Sequence, residues 1–319
     1  MHFLTDVGGL AWAARQLAGR PVAWHPAPAG PAALAAAARS LRLDAVVLDS
    51  YTLDPASGPA LRADGRVVLA VVDGDPRGAV ADLYVDQNLD AELAAVDLPP
   101  GAVRLAGLRY CLLRGDVRRL RPDRAPGTAT ATAATTGTPR VLGFFGGTDA
   151  YAAAPVLTRL LLNTGAPLAA TIVGATGPIR AALHELRPAA GQRLRVVAPT
   201  DDLARLMAEA DLVVGASGTS AWELLCLGRP AALVWVVDNQ RLGYDRLVHR
   251  GLVAGLGRLA DLATEPVAAR ATATLRSLLT DPLRRAGLAD RAWAAVDGDG
   301  VRRVAAELLR RVAPERVPG

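Results

Sequence analysis

The stretch Leu212-Val-Val-Gly-Ala-Ser-Gly-Thr-Ser-Ala-Trp-Glu-Leu-Leu-Cys-Leu-Gly-Arg-Pro230 decides the fold. It reads as a buried strand, a turn of small residues, a helix, and a Gly-Arg-Pro exit into a second apolar strand, Ala231 to Val237. Strand, helix, strand in that order is a βαβ unit, which makes the two strands parallel. Ser217, Gly218, Thr219 and Ser220 fall where the helix begins. The first amides of a helix have no partner within it, and the helix dipole adds partial positive charge there. Small hydroxyl residues and a glycine let an anion come close to those amides. Glu223, one turn on, is spaced to reach a ribose diol. The same serines and threonine also suit an ordinary capped helix. The stretch alone leaves both readings open.

Outward from it, the second half repeats the alternation. Arg140 to Phe145 is a strand ending in Gly146-Gly147-Thr148-Asp149, and a helix follows from about Tyr151 to Asn163. Ala169 to Val173 and Leu194 to Val197 are strands, Asp201 to Glu209 a helix with an acidic cap, and Gln240 to Arg250 another helix. From about Pro266 the chain is helical with breaks. The first half alternates too. Strands are expected over Met1 to Val7, Pro21 to Trp24, Asp44 to Leu48, Arg66 to Asp73, Ala81 to Asp86 and Val103 to Ala106. Helices follow Gly8-Gly9 and span Pro31 to Leu41. Such alternation predicts parallel sheets with helices on both faces. Pro122 to Pro139, rich in Ala, Thr and Gly with almost no large apolar residue, cannot bury a core and reads as a linker. The expected organisation is an N-terminal domain over 1–125, a linker over 126–139 and a nucleotide-binding domain over 140–319. Two such halves place a cleft between them, a common ligand site.

Composition narrows the function classes. The net charge is +5 and every basic residue is Arg, which together with the abundant Ala points to a GC-rich coding bias. The arginines are scattered and interleaved with acids, so no nucleic-acid footprint forms. No apolar run reaches the ~20 residues of a membrane span, and no basic-then-apolar leader opens the chain, so a cytoplasmic protein without an integral membrane segment is expected. Cys111 and Cys226 make no metal pattern, and His2, His25, His184 and His249 do not cluster as ligands do. Neither a metal nor a separate cofactor is expected. The chain also lacks a Gly-x-Ser-x-Gly elbow, a Walker loop and a Gly-x-Gly-x-x-Gly helix start. Their absence argues against a serine hydrolase, an ATPase and a dinucleotide oxidoreductase.

The candidate chemistry sits just past strand ends, where open α/β sheets bind ligands. Gly146, Gly147 and Thr148 let backbone amides approach a phosphate or sugar. Asp238-Asn239-Gln240 offers amides and a carboxylate for hydroxyl recognition, or a helix cap. In the first half, Asp49-Ser50-Tyr51 and Asp73-Gly74-Asp75 stand at neighbouring strand ends, each able to supply a carboxylate for acid–base work or to serve as a turn.

In chain order these pieces resemble one family. Asp44-Ala-Val-Val-Leu-Asp-Ser-Tyr51, Val71-Val-Asp-Gly-Asp75, Ala81-Asp-Leu-Tyr-Val-Asp-Gln-Asn-Leu89 and Gly107-Leu-Arg-Tyr-Cys-Leu-Leu-Arg114 resemble its first-domain segments. Phe144-Phe-Gly-Gly-Thr-Asp149, Ala216-Ser-Gly-Thr-Ser-Ala-Trp-Glu223 and Asn239-Gln240 resemble its second-domain loops. The family is the UDP-sugar hydrolases of pseudaminic acid synthesis with the related spore-coat polysaccharide proteins, which share the GT-B fold with the glycosyltransferase that makes lipid II. The resemblance implies an α/β, GT-B-like chain of two Rossmann-like domains facing across a cleft. It implies that Ser217 to Ser220 hold a diphosphate and Glu223 the ribose, with Gly146, Gly147, Thr148 and Gln240 on the same donor site. Tyr51 and Asn239 would lie near the sugar. The implied reaction cleaves the anomeric C–O bond of a UDP-sugar, or another NDP-sugar, with the nucleotide as part of the substrate and no metal. One departure stands out. Where the family has Gly-x-Gly-His, this chain has Val7-Gly-Gly-Leu10, and Leu10 cannot take a proton from water. Arg15 also falls two residues late for the family's arginine. His25, past the second strand, or Asp73, Asp75 or Tyr51 would have to serve instead, with His2 a weaker substitute inside its strand. Hydrolysis, transfer to a small-molecule or glycan acceptor, and binding without turnover all fit that departure.

Overall fold

The computed structural model describes residues 1–6, 21–127 and 137–312. Gly8-Gly9, Leu10, Arg15 and most of the expected linker lie outside the described residues. The chain packs as two units. One comprises Met1–Gln87, Ala91–Tyr110 and the chain from Arg302 on; the other comprises Asn88–Asp90 and Cys111–Val301.

In the first unit, β1 (His2–Leu4) pairs in parallel with β2 (Ala23–His25). A four-stranded parallel sheet follows in the order β3 (Ala45–Leu48), β4 (Val67–Val71), β5 (Leu83–Asp86), β6 (Val103–Ala106). Helices α1 (Pro31–Ser40) and α2 (Ser57–Ala63) cover one face. Leu34, Ala38 and Leu61 bury there against Val46, Val68 and Ala70. The other face buries Leu69, Leu83, Val85 and Leu105 against Val304 of the C-terminal helix, with Leu308 beside it. That packing sets the C-terminal residues with this unit, away from the expected 140–319 domain.

The second unit carries a six-stranded parallel sheet. Its strands are β7 (Arg140–Phe144), β8 (Leu168–Val173), β9 (Gln192–Val197), β10 (Leu212–Ala216), β11 (Ala231–Trp235) and β12 (Ala254–Arg258). In space they run β12-β11-β10-β7-β8-β9. β10 and β11 are buried along nearly their whole length, as their unbroken apolar runs require of strands covered on both faces. The helices are α3 (Gly115–Leu120), α4 (Ala153–Asn163), α5 (Gly177–His184), α6 (Leu203–Glu209), α7 (Ser220–Cys226), α8 (Asp238–His249), α9 (Glu265–Thr280) and α10 (Pro282–Ala295). α11 (Gly300–Val312) closes the described chain. α3 packs on α6 and α7, which places Cys111–Arg121 with this unit although the sequence assigned it to 1–125. Arg121 fastens the segment further: its guanidinium donates to the carbonyls of Cys226 and Trp293 and lies 4.5 Å from the Trp293 ring.

Two local expectations differ. No side chain caps α6; Asp202 accepts instead from Arg205 at 2.7 Å, because a guanidinium one turn away competes better than the helix's own amides. β12 has no counterpart in the sequence reading, because Gly255 and Gly257 dilute its apolar run. The Cβ of any other residue at 255 would sit 2.5 Å from the Tyr244 hydroxyl. That hydroxyl receives the amide of Gly257 at 2.7 Å.

Candidate functional site

Strand order brings the two candidate turns of the second unit side by side. From β7 the chain moves outward through β8 and β9, then returns to place β10 on the other side of β7. The loops leaving β7 and β10 therefore diverge at the point where strand order reverses, which is where open parallel sheets bind ligands. Gly146-Gly147-Thr148 leaves β7 and Ser217 to Ser220 leaves β10, so the two turns singled out from sequence sit at adjacent strand ends. β7 and β10 approach closely here: a Cβ at Gly215 would lie 2.7 Å from the Phe144 carbonyl oxygen.

The β10 turn is not an ordinary cap. Ser217 donates its amide to the Val234 carbonyl at 2.7 Å and Gly218 to that of Ala216 at 2.9 Å. The next helical amides, of Ala221 and Trp222, donate back to Gly218 and Thr219. No side chain caps α7. Among the described residues, the consecutive amides of Thr219 and Ser220 thus have no acceptor. Two adjacent N–H groups at a helix start suit an anion.

Gln240 stands beside this turn. Its Nε2 would be 3.8 Å from a Cβ at Gly218, and its Oε1 accepts the Val236 amide at 3.0 Å. Asp238 and Asn239, in the first turn of α8, are exposed. Gly146, Gly147 and Thr148 are exposed too, and Gly146 takes φ 87, which explains its lack of a side chain. The residue behind them, Asp149, is buried and turned inward, accepting the amides of Ala153 at 2.8 Å and Ala154 at 3.0 Å. It anchors the loop to α4 and is not a ligand group. Burial raises its pKa against the pull of those two amides.

Glu223 is half-buried and held by a residue given no role from sequence. Arg114 donates from Nε to Oε1 at 2.7 Å and from Nη2 to Oε2 at 3.1 Å. Burial alone would lower the Arg114 pKa, but the hydrogen bonds and charge of Glu223 outweigh it and raise it. The partners are 109 residues apart, so no local pattern could show the pair.

The first-unit candidates form two groups. Tyr51 donates to Asp73 Oδ2 at 3.1 Å, and the Arg77 guanidinium lies 4.3 Å from its ring. Burial, then the Asp73 carboxylate, raises the Tyr51 pKa, so the phenol keeps its proton. Asp75 accepts the Arg77 amide at 2.8 Å, which makes it a turn residue as well as a candidate. His25 is not a solitary histidine: its Nε2 lies 3.0 Å from His2 Nδ1. Among the described residues no three side chains gather to hold a metal ion, and no helix is long and apolar enough to cross a membrane.

No family model matches the sequence. A curated relative from Sorangium cellulosum (strain So ce56) is UDP-N-acetylglucosamine–N-acetylmuramyl-(pentapeptide) pyrophosphoryl-undecaprenol N-acetylglucosamine transferase. It is 36% identical over 121 residues, 37% of this chain and 29% of the relative. The chain thus spans about a third of the length of the curated relatives it matches. Among solved structures, MurG of Acinetobacter baumannii superposes with a TM-score of 0.63 at 18% identity, covering 87% of this chain and 76% of that one. Arabidopsis thaliana UGT89C1 complexed with UDP superposes with a TM-score of 0.60 at 12% identity, covering 96% and 92%. With parallel α/β sheets in each unit and these neighbours, the chain has a GT-B-like fold built from two Rossmann-like domains.

Proposed function

We propose that this protein processes a nucleotide sugar, binding the nucleoside diphosphate in the second unit and breaking the anomeric C–O bond with release of that diphosphate. The observation that carries the reading is the pair of acceptorless amides at Thr219 and Ser220, beside the Gly146 loop where strand order reverses. In this reading those amides receive the diphosphate, with Ser217 and Gly218 shaping the turn and Gly146, Gly147 and Thr148 forming the neighbouring wall. Glu223 accepts the ribose hydroxyls, and Gln240 and Asn239 meet sugar hydroxyls. Negative charge grows on the leaving diphosphate as the bond breaks, and preorganised amides at a helix start stabilise it without a metal. UDP is the favoured nucleotide because the similar transferase is named for a UDP-sugar and the Arabidopsis structure holds UDP.

Transfer to a small-molecule or glycan acceptor is favoured over hydrolysis by two observations. The curated relatives are N-acetylglucosamine transferases, and Leu10 stands where the hydrolase resemblance puts its water-activating histidine. The acceptor's proton must then pass to a basic group, and the candidates named from sequence are Asp73, Asp75 and His25, with Tyr51 a hydroxyl donor. Hydrolysis is the second reading, supported by the ordered resemblance of the loops to the UDP-sugar hydrolases. Incubation with UDP-sugars, following UDP release, tests both. Release that needs an added acceptor supports transfer, release in buffer alone supports hydrolysis, and a protein that binds no UDP refutes the donor site.

A further inference from the structure

Glu223 does not face a ligand as a bare carboxylate. Arg114 grips it side-on through two nitrogens, and the third, Nη1, lies 3.5 Å from Asp116 Oδ2. Arg114 is the residue that precedes α3, and α3 is fixed against α6 and α7. The guanidinium is therefore supplied by a packed element, and the Glu223 side chain retains only 14% exposure. A carboxylate offers about four lone-pair positions, two on each oxygen. Arg114 takes one on each oxygen and leaves one on each. Two acceptors on neighbouring oxygens match two hydroxyl donors on neighbouring carbons.

We propose that Arg114 is a positioning residue that turns Glu223 into a receptor for a vicinal diol, and so makes the site select ribonucleotide over deoxyribonucleotide donors. The proposal rests on the donor-site reading above. A 2′-deoxy ligand leaves one lone pair of a mostly buried carboxylate unmatched. A ligand with both hydroxyls satisfies all four positions. Without Arg114, three side-chain torsions of Glu223 are released and the two free lone pairs no longer have a fixed aim.

Calorimetric titration of UDP and 2′-deoxy-UDP into the full-length protein tests this, with Arg114→Ala and Arg114→Lys as variants and melting curves recorded alongside. The wild type is expected to prefer UDP by at least about tenfold, the worth of one hydrogen bond to a charged group. In Arg114→Ala, UDP binding weakens by about tenfold while 2′-deoxy-UDP binding hardly changes, so the preference collapses. Arg114→Lys keeps the charge but loses the planar fork, and gives an intermediate preference. A purely structural role would weaken both ligands alike. Equal loss for both ligands, or a preference that survives in Arg114→Ala, overturns the proposal. Should Arg114→Ala fail to fold, an undiminished preference in Arg114→Lys overturns it equally. A wild type that binds UDP with no preference removes Glu223 from the ribose and the proposal with it. A wild type that binds no UDP refutes the donor site itself.

Discussion

Asp149 offers the sharpest test of how the Gly146 loop is held. Its two carboxylate oxygens cap α4 from outside the helix, at 2.8 Å to the Ala153 amide and 3.0 Å to that of Ala154. The residue is 5% exposed and sits at φ 44. Asp149→Ala removes both acceptors and leaves two buried N–H groups, each costing about 1–3 kcal/mol when unpaired. Loss of the acidic charge near the helix start adds a further ~0.3–1 kcal/mol. Against this, burial already pushes the Asp149 pKa up, so part of the gain from those bonds is cancelled by holding the charge out of water. The net expectation is a loss of about 2–3 kcal/mol. For a domain of this size that lowers the melting temperature by roughly 5–10 °C. Asp149→Asn keeps one acceptor and turns an NH2 towards the other amide, so about half the loss is expected. Urea denaturation and thermal melting of the three proteins measure it. An alanine variant within about 0.5 kcal/mol of wild type, the range of an ordinary surface change, would show that the loop is not anchored this way.

Further outcomes follow from other contacts. The Tyr51 pKa is raised by burial and then by Asp73, so the wild-type minus Tyr51→Phe difference spectrum should titrate above pH 10.0. Because the folded pKa is raised, the phenol's contribution to stability is complete below the unfolded pKa and is lost as pH climbs through the folded one. A midpoint at or below 10.0 contradicts the Tyr51–Asp73 bond. Gly215→Ala drives a Cβ to 2.7 Å from the Phe144 carbonyl oxygen, so it should cost ~1–3 kcal/mol in denaturation and weaken UDP binding. Wild-type stability there would mean that β7 and β10 are less closely apposed. If amides stabilise the leaving diphosphate, EDTA should leave UDP release unchanged, and its abolition would move that task to a metal. Burial pushes the Cys111 thiol up to about 12, so native protein should resist thiol alkylation and react only when unfolded. Rapid labelling of Cys111 in the native state contradicts its burial.

Much of the architecture was legible because the second unit writes it locally. β10 and β11 are continuous apolar runs, and the small residues between them have no place except a strand-to-helix turn. What stayed hidden has physical causes. α2 is hard to read from sequence because Ser57-Gly58-Pro59 resembles a turn, yet Pro is tolerated in a first helical turn, and Gly58 is needed where a Cβ would strike the Val80 carbonyl. The cap expected on α6 lost to an ion pair with Arg205. Among the site residues, the turns at Gly146 and Ser217 could be read from spacing alone. That the amides of Thr219 and Ser220 lack an acceptor among the described residues could not, because it depends on which neighbours accept. Asp149 belongs to its loop by adjacency alone in the sequence, and only the fold turns its carboxylate towards α4. The Arg114–Glu223 pair joins residues with no sequence proximity, so only packing reveals it.

The placement of Arg114 also bears on how this chain can be cut and recombined. A natural guess for an excised nucleotide-binding half begins after the Ala/Thr/Gly stretch, at Arg140. Such a fragment would leave behind the guanidinium that grips Glu223 and the Arg121 side chain that ties Cys226 and Trp293. On the proposed donor-site reading, a chimera meant to carry the second unit's site intact therefore needs its crossover before Cys111, not in the Ala/Thr/Gly stretch where sequence composition invites it. In evolutionary terms, the shortest segment that can be exchanged with the Arg114–Glu223 pair intact is longer than the stretch that composition marks out as a domain.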